Sequence, residues 1–363
     1  MIRVLVVDDS TVVRRMLTDA LDRDPDIEVV GTAVDPYDAR EKVLSLAPDV
    51  MTLDIEMPRM DGLSFLARLM KHHPVPVVVV SSLAPRNSAA ALRALELGAV
   101  EVMGKPGPGA PVRELAGPLA RAIRAAAAAD PSRTPRTGPV LPDPRAPVRP
   151  AMTAAMIGTA PGARRVLAIG ASTGGPMALE QLLCGLPAAG PGVLIVQHMP
   201  AAFTAAFARR LDDRCAMQVR EATTGDAVVP GLALVAPGGR HMVLLRRDGR
   251  LVVDVRDGPP VQFQRPSVDV LFHSVAQVAG GESVGILLTG MGSDGASGLR
   301  AMRDAGAHTI AQDEATSVVF SMPKEAIRFG AACEVLPLPR IAAAALRASG
   351  TPNAGTRLRT GAA

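Results

Sequence analysis

"IRVLVVDDSTVVRRMLTDALDRDPDIEVVGTA", residues 2–33, decides the first half of the fold. It opens on a short apolar run, Val4 to Val7, that stops at two acids. Apolar residues at helical spacing follow from Thr11, and a second apolar run starts at Ile27. Strand, helix, strand is the reading, and strands that are apolar almost throughout are buried on both faces. That places them in a parallel sheet covered by helices on each side. The alternation continues through "YDAREKVLSLA", "PDVMTLDIEMP", "GLSFLARLMKHH", "VPVVVVSSL", "SAAALRALELGA" and "VEVMGKP", and the Ala-rich "LAGPLARAIRAAAAA" reads as a closing helix. The fold class is α/β, with a flavodoxin-like strand order in this first module.

Beyond it, residues 130–162 carry eight prolines and no sustained apolar period, so they cannot bury a core. Strand–helix alternation then resumes at "RVLAIGAS" and runs through "GVLIVQHMP", "AAFTAAFARRLDD" and "SVGILLTGMGSDG", which predicts a second doubly wound, mainly parallel α/β domain. The expected organisation is a domain over 1–125, a Pro-rich linker over 126–165, a second domain over 166–348 and a flexible tail over 349–363.

The whole chain of 363 residues suits this plan. It is 48% hydrophobic and 20% charged, the balance of a globular protein. No apolar run approaches the roughly 18–20 residues that span a bilayer, and the first residues already form a strand, so the expectation is a cytoplasmic protein without membrane insertion. The net charge of +4 is concentrated in the Pro-rich segment, and the chain has one Tyr, seven Phe and no Trp. No basic face with interleaved aromatics is visible, so nucleic acid is not an expected partner. Cys184, Cys215 and Cys333 are odd in number and widely spaced, which argues against a disulfide framework or zinc site and for buried thiols.

In open parallel sheets functional groups gather at the carboxyl ends of the strands. Those ends in the first module are Asp8 and Asp9, Asp54, Ser81 and Lys105. Three converging carboxylates repel unless a cation sits among them, and an all-oxygen set of this kind suits Mg²⁺. A lysine and a hydroxyl beside Asp54 would stabilise a phosphoryl group on a carboxylate nucleophile. "VLVVDDS", "LDIEMPRMDGL", "VVSS" and "GKP" resemble the receiver domain of bacterial response regulators. The resemblance implies that Asp54 takes phosphate from a sensor histidine kinase. It also implies that Asp9, Asp54 and the backbone carbonyl of Glu56 hold the Mg²⁺ with help from Asp8, and that Ser81 and Lys105 support the phosphoryl group. Val102 stands where such domains often carry an aromatic switch residue.

In the second module "GASTG", residues 170–174, fits the G-x-S-x-G elbow that exposes a serine between a strand and a helix. Ser172 needs a base, and the base needs an orienting group. His198 ends the next strand and shares the edge where Ser172 sits; His241, in a Gly-rich loop, ranks second. For the acid, Asp294 lies in a Gly-rich loop past an apolar strand, with Asp313 second. The chain order Ser, His, Asp differs from that of α/β-hydrolases. Two competing readings are a nucleotide site on the Gly-rich loop, which lacks the P-loop lysine, and a response-regulator adaptor whose second domain binds rather than hydrolyses.

"IGASTGGP", "VQHMP", "APGGRHM", "RPSVDVLFHSVA", "LLTGMGSDGASG" and "AQDEATSVVFSMPKEAI" resemble the chemotaxis protein-glutamate methylesterase (CheB) family. The resemblance implies that Ser172 is nucleophile, His198 base and Asp294 orienter, that Thr173 and Met291 supply oxyanion-binding N–H groups, and that this domain uses no cofactor. It further implies hydrolysis of glutamate methyl esters on cytoplasmic helices of methyl-accepting chemoreceptors, deamidation of glutamine, and a receiver packed over the cleft that phosphorylation loosens.

Overall fold

The computed structural model describes residues 1–81, 88–105, 112–129 and 166–350. Most of the expected linker, and the tail beyond Gly350, lie outside the described residues. The chain divides into two compact units, Met1–Arg136 and Thr137–Ala363.

In the first unit β1 (Ile2–Val7), β2 (Ile27–Ala33), β3 (Val50–Leu53), β4 (Val77–Ser81) and β5 (Glu101–Gly104) form one sheet in the order β2-β1-β3-β4-β5. Every pairing is parallel. This is the flavodoxin-like order, and it places β1 and β3 side by side as the sequence predicts. Helices α1 (Thr11–Leu21), α2 (Pro36–Leu46), α3 (Gly62–His72) and α4 (Ser88–Glu96) make the crossovers, and α5 (Val112–Ala127) follows the last strand. Their starts are written locally. Ser10 accepts a hydrogen bond from Val13 N, Asp35 from Tyr37 N and Asp38 N, and Asp61 from Ser64 N. A side-chain acceptor of this kind satisfies the donors that a helix leaves unpaired at its start. Helix α5 runs on to Ala127, just past the expected domain end at residue 125.

The second unit holds β6 (Val166–Ala171), β7 (Gly192–Gln197), β8 (Gln218–Glu221), β9 (Leu232–Val235), β12 (Ser283–Leu287), β13 (His308–Gln312) and β14 (Glu334–Leu336). They form a wholly parallel seven-stranded sheet in the order β14-β13-β12-β6-β7-β9-β8. The central strands β12, β6 and β7 are buried at every position, which accounts for their apolar sequences. Helix α6 (Gly175–Cys184) and helix α7 (Ala201–Arg214) follow β6 and β7. Helix α8 (Val268–Val278), helix α9 (Ala296–Asp304), helix α10 (Ser321–Arg328) and helix α11 (Leu338–Ser349) complete the cover. An antiparallel hairpin, β10 (His241–Arg247) and β11 (Arg250–Arg256), packs its Met242, Leu244, Val253 and Val255 into the core with α8 residues Leu271, Phe272 and Val275. His241 therefore begins a strand, where the sequence reading had a loop.

Among the described residues no helix is long and apolar enough to cross a membrane. Of the three cysteines only Cys215 is buried; Cys184 and Cys333 are exposed, contrary to the expectation of three buried thiols.

Candidate functional site

The two sites sit at the carboxyl edges of the two sheets. In the second unit β6 is the switch point: its chain neighbour β7 lies on one side and β12 on the other. The register pairs Ala171 with Gln197, and His198 N donates to Ala171 O at 3.1 Å. Ser172 and His198 are thus the first residues past two adjacent paired strands. Asp294 arrives from the loop after β12, on the far side of Ser172.

The elbow is built by close contacts. Gly174 caps α6 with φ +76°, a conformation that glycine adopts without strain. Ser172 N donates to Thr289 O at 3.0 Å, and Gly175 N to Ser172 O at 2.7 Å. A Cβ at Gly290 would lie 2.7 Å from the Ser172 Cβ and 2.2 Å from Met322 Sδ, so only hydrogen fits there. Met291, expected as an oxyanion donor, follows this contact directly. Its N–H has no hydrogen-bond partner among the described residues. Thr173 is tied down through its carbonyl, which accepts from Thr289 Oγ1 at 3.0 Å.

His198 and Asp294 meet. Nε2 of His198 lies 2.8 Å from Asp294 Oδ2, and both side chains are almost wholly buried. Nδ1 of the same ring is buried with no partner, so it is the nitrogen left for a proton from outside the pair. Asp294 is itself seated on the start of α8. Its Oδ1 accepts from Ser267 Oγ at 2.8 Å and Asp269 N at 3.0 Å, and its Oδ2 accepts from Val268 N at 2.8 Å. Helix N-termini attract anions through unpaired N–H groups and the helix dipole. Burial pushes the Asp294 carboxyl up, but the His198 contact and these backbone donors outweigh it and hold the pKa below the ordinary carboxylate value.

The second-ranked residues have other duties. His241 accepts from Ser267 N at Nδ1 (3.2 Å) and contacts Pro259 O through Nε2 (3.0 Å), so both ring nitrogens hold the segment that presents Ser267. Asp313 accepts from Thr316 N and Thr316 Oγ1 and closes its own turn. Sequence reasoning missed Gln197, whose Nε2 donates to Ser172 O at 2.9 Å and His198 O at 3.1 Å, tying both loops together. It also missed Ser267, Thr289 and Gly290. Of these only Ser267 carried a signal, as a serine immediately before an apolar-periodic helix.

In the first unit one oxygen from each of Asp8, Asp9 and Asp54 falls within 4.8 Å of the others. Lys105 Nζ lies 2.7 Å from Asp54 Oδ2 and 2.8 Å from Asp8 Oδ2. The ammonium of Lys105 thus pairs with both acids, while Ser81 Oγ is buried with no hydrogen-bond partner. Burial raises the Asp54 pKa against the pull of Lys105, and the nearby Asp8 adds to the rise. Lys105 faces two acids, and together they outweigh its own burial and raise its pKa. Glu56 is exposed, and its backbone N–H reaches the Asp54 carboxylate. Val102 is half-buried on β5. Three carboxylates whose oxygens fall within 4.8 Å of one another are an all-oxygen donor set that fits a divalent cation.

A receiver-like sheet with an acid cluster, followed by a sheet whose edge gathers a serine, a histidine and an aspartate, defines a class: a response regulator with a hydrolase-like output domain. The family models match accordingly. The response regulator receiver domain matches residues 4–115, and the CheB methylesterase matches residues 167–345. A protein-glutamate methylesterase/protein-glutamine glutaminase 4 of Anaeromyxobacter dehalogenans is 53% identical, covering 96% of this chain and 95% of that protein. A protein-glutamate methylesterase/protein-glutamine glutaminase 2 of Syntrophus aciditrophicus is 49% identical, covering 94% and 97%. The crystal structure of the Thermotoga maritima CheB methylesterase catalytic domain superposes with a TM-score of 0.50 at 35% identity, over 50% of this chain and 97% of that one. The chain belongs to the CheB protein-glutamate methylesterase family.

Proposed function

We propose that this chain hydrolyses glutamate γ-methyl esters, and deamidates glutamine side chains, on the cytoplasmic helices of methyl-accepting chemoreceptors. In this reading Ser172 Oγ attacks the γ-carbonyl carbon and its proton passes to Nδ1 of His198. Asp294 accepts the Nε2–H, fixes that tautomer and stabilises the imidazolium. His198 returns the proton to departing methanol or ammonia, and water then cleaves the acyl-serine by the same route in reverse. The N–H groups of Thr173 and Met291 bind the oxyanion; each such donor contributes about 10²–10³ in rate. The observation that carries the reading is the buried His198–Asp294 pair, with Nδ1 unsatisfied, at the end of the strand that pairs with the one leading into Ser172.

The first unit is the regulator. A sensor histidine kinase phosphorylates Asp54, with Lys105 and Ser81 holding the phosphoryl oxygens. Asp8, Asp9, Asp54 and the Glu56 carbonyl would hold a Mg²⁺, which when bound neutralises charge on the transferring phosphoryl group. Phosphorylation favours one arrangement of the two domains, joined by the Pro-rich linker, and raises the hydrolase activity. The protein works in the cytoplasm, where receptor helices and kinase are both within reach.

The experiment is methanol release from a methylated chemoreceptor, with and without a small-molecule phosphodonor. The expected result is a basal rate that the donor raises and that Asp54→Asn holds at basal level. No methanol release in either state would support the adaptor reading instead.

A further inference from the structure

Cys184 ends α6 and Cys215 caps the end of α7, and their sulfurs lie 3.4 Å apart. Neither is disulfide-bonded, and the sequence separation is 31 residues. A disulfide needs about 2.05 Å between sulfurs, so closure asks for an approach of roughly 1.4 Å, within reach of side-chain rotation. Cys184 is exposed and Cys215 is buried behind it, the arrangement of an attacking thiol with a resolving partner. The two helices are already clamped beside the pair: the buried Glu180 of α6 binds Arg210 and Arg214 of α7 at 2.7 Å each. That clamp holds the cysteines in register. The contact with Cys215 lowers the Cys184 pKa against burial and the Glu180 charge, with Arg214 assisting, which enlarges the reactive thiolate fraction.

We propose that Cys184 and Cys215 form a peroxide-sensitive dithiol, a modification site separate from both the phosphoacceptor and the hydrolase centre. The Cys184 thiolate attacks a peroxide oxygen; the O–O bond breaks, hydroxide leaves, and Cys184 becomes a sulfenic acid. The Cys215 thiol then attacks that sulfur and the S–O bond breaks. The hydroxyl leaves with the Cys215 proton as water, and the S–S bond forms. Peroxide is reduced and two thiols are oxidised, so the atoms balance. The bond ties the far ends of the two helices whose near ends follow Ser172 and His198.

The test uses the full chain with Cys333→Ser, which removes the other exposed thiol. Hydrogen peroxide is added, the remaining thiols are alkylated under denaturing conditions, and the peptides are mapped without reductant. The expected result is loss of both thiols and one linked Cys184–Cys215 peptide pair, two hydrogens lighter than the sum and separated again by dithiothreitol. Closing this loop also raises the melting temperature by roughly 5–10 °C, reversed by reduction. Cys184→Ser keeps Cys215 alkylatable and abolishes the rise. Cys184 in sulfinic acid with Cys215 still alkylatable would overturn the proposal, as would a link between two copies of the chain.

Discussion

Gly290→Ala tests how tightly the elbow is built. Gly290 does not adopt a positive φ, so the substitution adds no backbone strain and acts by volume alone. The new Cβ would stand 2.7 Å from the Ser172 Cβ, where ordinary carbon contacts need roughly 3.5–4.0 Å. Something must move by about 1 Å, and Met322, 2.2 Å from the same point and fully buried, cannot yield toward solvent. Overpacking of this kind costs about 1–3 kcal/mol, which lowers the melting temperature of the catalytic unit by roughly 3–10 °C. A nucleophile displaced by about 1 Å loses on the order of 10² in turnover. The assay is methanol release from methylated receptor, measured well below the unfolding transition so that partial unfolding does not contribute. A Gly290→Ala protein with unchanged melting and unchanged turnover would refute the close approach and the placement of Ser172 that depends on it.

Two further outcomes follow from the charges. Ser267→Ala deletes the hydroxyl donor to Asp294 Oδ1 and the cap of α8, so stability falls by about 1 kcal/mol. The Asp294 pKa then rises, and the acid limb of the pH profile of kcat/KM moves to higher pH while the neutral plateau falls less. Asp54→Asn removes a buried carboxyl whose folded pKa is raised. Such a group stabilises the fold only when protonated: its contribution is present below the unfolded value of about 3.9 and is lost as pH rises through the folded value. Without Mg²⁺, Asp54→Asn should therefore raise the receiver's melting temperature at pH 7 and lose that advantage near pH 3; an equal shift at both values would contradict the assignment.

The α/β class of both units and the strand order of the first were legible because burial on both faces leaves strands such as β6 and β7 apolar throughout; the order of the seven-stranded sheet was not, because it depends on which strands pair. The positions of the candidate residues were legible for the same reason: residues at strand ends stand out against apolar runs, and Asp54, Ser172 and His198 each follow a strand directly. What holds them was not. Gln197 looks like any strand-end polar residue until its amide is seen bridging two loops, and Gly290 resembles any loop glycine until Ser172 is placed against it. His241 shared the residue type of a base, yet its two backbone contacts make it a support for Ser267. The nearness of Cys184 and Cys215 depends on how α6 and α7 pack, which their spacing along the chain does not encode.

The central claim is that Ser172 is activated through His198 and Asp294. The most direct measurement is the rate and position of labelling by a serine-directed organophosphonate, read by peptide mapping. The account predicts one adduct, on Ser172, with the labelling rate falling by about 10²–10⁴ in His198→Ala and substantially in Asp294→Asn. An adduct on another residue, or labelling of Ser172 that neither substitution slows, would contradict it.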